Sequence, residues 1–328
     1  METEKNFAMA ISSALVNILK KDPAAILIGE DIGKYGGLFG CTTEPFEIFG
    51  KGRFLEIPVM ENGIIGMSIG MALAGLHPIV EIQYADFLFM AMDQIWMNLT
   101  QLTKMCKNEI NMPVIIRTSH GAGIGEGYQH AHSIFSLFLP LKEINIVVPS
   151  TPIDAKGLLI SSYESQKPTL FFEDRTFYGT IPTVMGLTDM VSDDYYTIPL
   201  GRARIVKEGS QITILSIGKM VHRAADAIKE SGVDAELVDL RTLSPLDYTT
   251  IKRSIDKTGK LLIINEEPVL PGFENMIVAR LLSEDIKFSV AFVGSMDYPV
   301  PYSKEKERSW LPSINKISEA MKKLVNKK

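Results

Sequence analysis

Nearly continuous apolar segments of four or five residues alternate with longer helical patterns in this chain. They are rich in Ile, Val, Leu and Phe and lie at residues 25–29, 78–82, 113–117, 144–148 and 169–172. Apolar residues follow one another without the polar alternation of a half-exposed strand, so each segment is predicted to be a parallel strand covered on both faces. This alternation of strand and helix limits the possible folds more than any other property of the sequence, and it predicts an α/β architecture.

Helices are predicted in the intervals between these strands, at residues 7–20, 62–74, 87–107 and 153–165. The pattern at 62–74 is apolar on nearly every side, so we expect that helix to be buried all round. A sheet with helices on both faces is the doubly wound arrangement.

A polar segment at residues 186–200, with an acidic cluster around Asp193 and Asp194 and no helical periodicity, is typical of a linker. It separates a first domain at residues 1–185 from a smaller second domain of the same class at residues 201–328. Strands and helices of the second domain are predicted at 211–217, 221–231, 235–238, 248–258, 260–265, 275–283 and 288–293. Ser313 is the predicted N-cap of a last helix.

Charge and cysteine content narrow the class of protein. The 34 Lys and Arg residues against 39 Asp and Glu residues give a net charge of −5, without the basic excess that binding to nucleic acid needs. The two cysteines, Cys41 and Cys106, cannot form a disulfide framework, and we expect both to be buried thiols of a reducing compartment.

No membrane segment or secretory signal is predicted either. The most apolar stretch, residues 63–80, contains several glycines and a proline and is followed by Glu81, so a buried helix and strand explain it better than a membrane span. The charged N-terminus lacks the apolar core of a secretory signal. We therefore expect a cytoplasmic protein.

Glu61 is the first candidate for chemistry, because it stands at the start of the apolar helix at 62–74. Burial raises the pKa of a carboxyl group and a helix N-terminus lowers it, so an acid in this position can be tuned to exchange a proton with a bound base. A simple role in capping the helix is the alternative that the residues alone leave open.

Gln83 and Phe87 follow the strand at 78–82, at the carboxyl end where open α/β sheets bind ligands. Both could reach one crevice there. The alternative for Phe87 is an ordinary core residue at the start of a helix.

Residues 120–127 form a glycine-rich loop, and His130 and His132 follow it. No apolar helix opens directly behind the glycines, which argues against a dinucleotide site. A His-x-His pair can bind a metal, but no third or fourth ligand stands nearby, as a zinc site requires. An acid/base histidine beside a pocket is the better interpretation.

Together these residues resemble a known family: the beta subunits of the thiamine-diphosphate-dependent decarboxylating component of 2-oxo acid dehydrogenase complexes, of the pyruvate and branched-chain type, within the transketolase-like group. The resemblance runs nearly end to end. Its segments are GEDIG at 29–33, ENGIIG at 61–66, GLHP at 75–78, EIQYADF at 81–87, DQI at 93–95, VPSTP at 148–152, DAKGL at 154–158, DLRTLSPLD at 239–247 and PVPY at 299–302.

The resemblance implies a pyrimidine-binding domain followed by a transketolase C-terminal domain. It implies that Glu61 hydrogen-bonds the aminopyrimidine ring of thiamine diphosphate and shares a proton with it, which activates the cofactor. Phe87 is implied to pack on that ring and Gln83 to line the same pocket. His130 is implied to handle the 2-oxo acid and the transfer of the acyl group to a lipoyl domain.

The resemblance also implies partners. The Gly-Asp-Gly and Asn-Asn signature that holds the diphosphate through Mg²⁺ is absent from this chain, and in the family it lies on an alpha subunit. An α2β2 assembly with a shared cofactor and a lipoyl acyltransferase core as partner follows. A structural K⁺ ion bound by main-chain carbonyls is implied at four positions, Val114, Ser162, Ser165 and Lys167.

The chain departs from the family pattern after His130. The family usually continues Ser-Gln-Ser, whereas here Ala131, His132 and Ser133 follow, and the segment 134–138 lacks the usual acidic and tryptophan residues. The resemblance implies that this loop forms part of the substrate entrance, so the sequence does not identify the substrate. Besides oxidative decarboxylation of pyruvate or a related 2-oxo acid, the alternatives are an acetoin-cleaving or split transketolase-like enzyme and a non-catalytic assembly subunit.

Overall fold

The computed structural model describes residues 2–106, 110–180, 182, 190–269 and 272–327. The chain divides into two compact units. The N-terminal unit comprises the described residues of Met1–His120, Pro140–Pro182 and Thr188–Leu200, and the C-terminal unit those of Gly121–Leu139 and Gly201–Lys328.

Both units alternate strands with helices, which confirms the predicted α/β class. The strands are β1 (Glu2–Glu4), β2 (Ala25–Gly29), β3 (Phe54–Glu56), β4 (His77–Tyr84), β5 (Ile115–His120), β6 (Asn145–Val147), β7 (Thr169–Asp174), β8 (Met190–Ser192), β9 (Arg204–Lys207), β10 (Ile212–Ser216), β11 (Ala235–Asp239), β12 (Thr242–Ser244), β13 (Lys260–Ile264) and β14 (Ser289–Val293). The α-helices are α1 (Phe7–Lys21), α2 (Thr43–Phe49), α3 (Glu61–Leu73), α4 (Gln101–Met105), α5 (Pro152–Glu164), α6 (Lys219–Ser231), α7 (Tyr248–Thr258), α8 (Glu274–Ser283), α9 (Lys304–Trp310) and α10 (Ile314–Val325).

The main sheet of the N-terminal unit places its strands in the order β6-β7-β5-β4-β2-β3, and all neighbours are parallel. Helix α1 covers one face together with α5, and its buried residues include Phe7, Ile11 and Leu15. Burial of each such side chain contributes about 1.5–3 kcal/mol. Asn6 begins α1, because its side-chain Oδ1 accepts a hydrogen bond of 2.8 Å from the amide of Met9.

The C-terminal unit has a five-stranded sheet in the order β14-β13-β10-β11-β9. Four strands are parallel, and only β9 runs antiparallel to its neighbour β11. Helices α6 and α10 pack on a core that includes Ile214 and Leu262. The predicted cap of the last helix is confirmed, since Ser313 Oγ accepts a hydrogen bond of 3.2 Å from the amide of Lys316.

The single helix predicted at residues 87–107 is wrong. The structure has a 3₁₀ segment at Ala85–Ala91, a π-helix at Gln94–Leu99 and the short helix α4, while residue 107 lies outside the described residues. The hydroxyl of Thr100 takes the carbonyl of Trp96 at 2.7 Å, and the Thr100 amide instead reaches Ile95 at 3.3 Å. An amide that bonds the carbonyl five residues earlier is the π-helical pattern, and it leaves the carbonyl of Trp96 to the Thr100 hydroxyl.

The expectation that the helix at 62–74 is buried all round is also wrong. Ile64, Ile65 and Ile69 of α3 are buried, but Asn62 and Gly70 are exposed and Leu73 is 50% exposed. One face of α3 packs on the core, and the other face, which carries Leu73, is not covered by it.

The remaining expectations concern the linker, the two cysteines and membrane-spanning segments. Residues 186–189 of the predicted linker lie outside the described residues, and β8 within the rest of it pairs with β1. The bounds 1–185, 186–200 and 201–328 stay a prediction. Both cysteines are free, but only Cys41 is buried, while Cys106 is partly exposed, which corrects the expectation for Cys106. Within the described residues, the helices are too short or too polar to cross a membrane.

Candidate active site

A crevice at the carboxyl edge of the N-terminal sheet brings three predicted site residues together. Glu61, Gln83 and Phe87 line it. Gly29 at the end of β2 pairs with Glu81 of β4, so the residues that follow both strands emerge at the same edge. The other lining residues are Glu30, Val59, Met60, Ile64, Glu81 and Ile82.

Glu61 is the first residue of α3 and is partly buried, as the sequence predicted for its position. Its helix is tied to the π-helical region, because Asn62 Nδ2 donates a hydrogen bond of 2.5 Å to Asp93 Oδ1. Because Glu61 is the first residue of α3, its carboxylate lies near the helix amides, which favour a negative charge. The carboxylate also lines the wall of the crevice.

Gln83 and Phe87 are held from behind. The main-chain carbonyl of Gln83 accepts a hydrogen bond of 2.5 Å from Ser119 Oγ, which links β4 to β5. The ring of Phe87 meets the edge of Tyr84, with ring centroids 5.4 Å apart and an interplanar angle of 75°. Both side chains are partly buried, so each keeps a face toward the crevice.

Glu30 is a crevice residue that the sequence analysis missed. It follows β2 directly and lines the crevice beside Glu61. Burial raises its pKa, and the nearby carboxylates of Asp31 and Glu61 raise it further. The signal for it was the carboxylate that directly follows a buried strand in the GEDIG segment.

A buried ion network also escaped the sequence analysis. Arg117 binds Glu173 through Nε at 2.7 Å and Nη2 at 2.9 Å, and its Nη1 donates to Glu81 at 2.9 Å. Burial lowers the pKa of Arg117, but Glu173 and Glu81 more than offset this, so the guanidinium stays protonated. Because Glu81 lines the crevice, the network forms part of the wall behind it. Charged residues inside two apolar strand segments were the available signal.

His130 belongs to the C-terminal unit, where it stands in a turn after the glycine-rich loop. Its amide donates a hydrogen bond of 3.2 Å to the carbonyl of Gly127. The loop amides of Gly123, Gly125 and Gly127 all donate to the carboxylate of Glu307, at 2.7, 2.8 and 2.7 Å. A carboxylate of the protein itself thus accepts the hydrogen bonds of these loop amides.

The four carbonyls of the predicted K⁺ site belong to residues of the N-terminal unit. The carbonyl of Val114 accepts a hydrogen bond of 2.9 Å from the Thr169 amide, and that of Ser162 accepts one of 2.7 Å from Ser165 Oγ. The carbonyl of Lys167 accepts one of 3.3 Å from Thr169 Oγ1. A main-chain carbonyl oxygen has two lone pairs, so an oxygen that accepts one hydrogen bond can also bind a cation.

The crevice suits an aromatic base better than a phosphate. Carboxylate and amide side chains can bond ring nitrogens, and Phe87 offers an aromatic surface for stacking. The residues lining it include no Lys, Arg or His among those the structure describes. The donor set fits an aminopyrimidine and does not fit a diphosphate.

Comparison with protein families gives two matches that cover most of the chain. The transketolase pyrimidine binding domain matches residues 3–180, and the transketolase C-terminal domain matches residues 201–317.

The chain is similar along nearly its whole length to the beta subunits of three kinds of enzyme. The chain is 35% identical over 322 residues to the pyruvate dehydrogenase E1 component subunit beta of Bacillus subtilis (strain 168), covering 96% of this chain and 97% of that protein. It is 37% identical over 328 residues to the mitochondrial 2-oxoisovalerate dehydrogenase subunit beta 2 of Arabidopsis thaliana, covering 98% and 89%. It is 34% identical over 326 residues to the acetoin:2,6-dichlorophenolindophenol oxidoreductase subunit beta of Bacillus subtilis (strain 168), covering 94% and 93%.

A solved structure described as a split gene transketolase, inactive beta4 tetramer, superimposes with a TM-score of 0.79 at 22% identity, covering 98% of this chain and 99% of the other. At that identity the likeness concerns the fold alone.

Proposed function

Because the chain belongs to the transketolase-like beta subunits of the decarboxylating components of 2-oxo acid dehydrogenase complexes, we propose that it supplies the pyrimidine-binding half of a shared thiamine-diphosphate site. The enzymes of this family are oxidoreductases of the pyruvate dehydrogenase type, which use thiamine diphosphate for oxidative decarboxylation. Thiamine diphosphate, when bound, supplies the carbanion chemistry that removes carbon dioxide from a 2-oxo acid.

The observation that carries this proposal is the shared crevice of Glu61, Gln83 and Phe87. The Glu61 carboxyl group, at the N-terminus of α3, shares a proton with one ring nitrogen of the base. Phe87 packs on the face of the ring and fixes its plane. Gln83 orients the ring through its amide.

Glu30 adds a second carboxylate to the same wall. Burial raises its pKa, and the neighbouring carboxylates of Asp31 and Glu61 raise it further, because a second negative charge is unfavourable there.

An alpha-type partner completes the site in this proposal. The crevice lacks a cationic side chain among its described lining residues, so the diphosphate and its Mg²⁺ are held by the partner. Several large apolar side chains just before α3, on α3, on α4 and on the segments between these helices are also exposed, although α3, α4 and the segments between them pack on one another. They are Val59 at 63%, Met60 at 51%, Leu73 at 50%, Phe89 at 55%, Met90 at 67%, Met97 at 60% and Met105 at 77%.

We name this set of side chains the methionine surface and propose that the alpha subunit covers part of it in an α2β2 assembly. Exposed apolar groups on one set of packed elements are typical of subunit interfaces. Gly70 of α3 leaves open space, with nothing within 4 Å of where a Cβ would lie, so a partner backbone can approach there.

The substrate proposed is pyruvate or a related 2-oxo acid. His130 acts on that acid and on acyl transfer to a lipoyl domain, and a lipoyl acyltransferase core receives the acyl group.

A structural K⁺ ion at the carbonyls of Val114, Ser162, Ser165 and Lys167 is part of the same proposal. Two free cysteines support a cytoplasmic location.

Reconstitution tests the proposal. The chain is co-expressed with an alpha-type partner, and reduction of an artificial electron acceptor is measured with pyruvate, branched-chain 2-oxo acids and acetoin. Activity is expected only with both chains and thiamine diphosphate, and with 2-oxo acids above acetoin. Glu61→Ala should reduce turnover at least about 100-fold, as removal of an acid/base group does, without loss of assembly.

Glu47→Ala is the matched control, because Glu47 is an exposed carboxylate on α2. Full activity of Glu61→Ala, or equal loss in both variants, would contradict the assignment of Glu61. Thiamine diphosphate bound tightly by this chain alone would contradict the shared site.

A further inference from the structure

The glycine-rich loop of the C-terminal unit is closed around a carboxylate of the protein itself. Glu307 on α9 is fully buried, and both of its carboxylate oxygens accept hydrogen bonds from the loop. Oε2 accepts from Gly123 and Gly125, and Oε1 accepts from Gly127. Hydrogen bonds from amides to an ionised acceptor are stronger than those to a neutral one.

The glycines at these positions are required by geometry. Gly125 and Gly127 have φ angles of +97° and +75°, which side chains rarely tolerate. A Cβ on Gly127 would lie 2.5 Å from the ring of Tyr302, close to the start of α9. The backbone can therefore turn its amides inward toward Glu307 only because it carries no side chains there.

An ion pair between Lys219 and Glu266 holds Ala122, the residue before Gly123. Glu266 Oε1 accepts a hydrogen bond of 2.8 Å from the Ala122 amide, and Lys219 Nζ donates one of 2.6 Å to the Ala122 carbonyl. Lys219 and Glu266 also bind each other at 2.8 Å, and both are nearly fully buried. Ala122 further packs with Ala131 and Trp310 in a small apolar cluster.

The far end of the segment is also tied to a buried acid. The amide and the hydroxyl of Ser136 donate to Glu267, at 3.0 and 2.5 Å. Residues 128–135, which include His130, thus run between two fixed points. At the first point, Glu307 accepts hydrogen bonds from three loop amides.

We infer that Glu307 is a positioning residue: its carboxylate fixes the loop that presents His130. The role of His130 itself rests on the proposed function. Glu307 acts through the loop backbone, so its loss should change how fast the site turns over and not how the pyrimidine-binding residues of the N-terminal unit hold their ligand.

Hydrogen exchange at single-amide resolution tests the structural half on the full chain without any substrate. In the wild-type chain, the amides of Gly123, Gly125 and Gly127 should be protected. In Glu307→Gln, an amide NH₂ replaces one acceptor oxygen, and exchange at these amides should become at least about 10-fold faster. Glu305→Gln is the matched control, because Glu305 is exposed on the same helix.

Kinetics of the reconstituted enzyme tests the positioning role. Glu307→Gln should lower kcat about 10- to 100-fold, while the Kd for thiamine diphosphate stays within about two-fold, because Glu61 and Phe87 are untouched. Glu307→Asp, which keeps the charge, should recover part of kcat. Glu305→Gln should behave as the wild type.

Three results would overturn the inference: unprotected loop amides in the wild type, unchanged exchange in Glu307→Gln, or a kcat that does not fall when exchange does increase. If Glu307→Gln fails to fold, the wild-type exchange pattern and Glu307→Asp still decide. Failure of the proposed function has a different signature, since reconstituted wild-type protein would then lack activity while the loop exchange follows the expectation.

Discussion

Arg117 and Glu173 form a two-point ion pair inside the N-terminal unit, with Nε to Oε1 at 2.7 Å and Nη2 to Oε2 at 2.9 Å. The side chain of Arg117 is 2% exposed and that of Glu173 is 1% exposed. Tyr178 also donates to Glu173, at 2.6 Å. A guanidinium can match a carboxylate in this parallel geometry, whereas an ammonium cannot.

Arg117→Met should destabilise the protein by about 3–5 kcal/mol, because it leaves the buried Glu173 and the partly buried Glu81 without their cation. The free energy of unfolding from urea titration measures this. Lys252→Met removes one partner of an exposed pair with Asp256 and should cost less than about 0.5 kcal/mol. Equal stability of Arg117→Met and the wild type would contradict the role of the network.

Stability should depend on pH through two buried acids of the C-terminal unit. Burial raises the pKa of Glu267 to about 7 and that of Glu274 to about 7, from ordinary values of 4.5. The folded state holds protons that the unfolded state has released, so these groups make the folded state less stable as pH rises from about 4.5 through about 7.

Glu274→Gln removes one of these groups. Relative to the wild type, the variant should gain free energy of unfolding between pH 5 and pH 8, by up to about 3 kcal/mol. Urea titrations at four pH values measure the difference. Glu230→Gln, at an exposed position on α6, should show no such trend. A constant difference between Glu274→Gln and wild type across this range would refute the prediction.

Phe87→Ala should weaken the binding of thiamine diphosphate to the reconstituted enzyme at least about 10-fold, because stacking on an aromatic base is worth about 1–3 kcal/mol. Calorimetric titration of the cofactor measures the Kd. Phe87→Tyr keeps the ring and is the control that should bind nearly normally. If both variants bind like wild type, Phe87 is a core residue, which is the alternative that the sequence left open.

Met90→Glu and Met97→Glu should weaken association with the alpha-type partner, because each places a charge on the methionine surface. Analytical ultracentrifugation of mixtures should show at least about a 10-fold higher Kd for each. Met276→Glu, at a 38% exposed methionine of the C-terminal unit, is the matched control. Wild-type association of both surface variants would exclude this surface from the interface.

The positions of strands and helices could be predicted because their signals are local. Apolar segments such as 25–29 became β2 with the same bounds, and the pattern at 248–258 became α7. The position of Glu61 at the start of α3 followed from the same reasoning. The helix predicted at 87–107 failed, because the backbone there forms 3₁₀ and π-helical turns, which the apolar pattern does not distinguish from α-helical ones.

Neighbouring residues along the chain were thus enough to establish the α/β class and the helix that carries Glu61, because periodicity and capping act over a few residues. Tertiary structure alone decided which charges meet. Arg117 and Glu173 are 56 positions apart, and Glu307 lies 180 positions from Gly127. Partners of that kind are chosen by strand order and helix docking, and a buried charge carries no local mark of the group that will neutralise it.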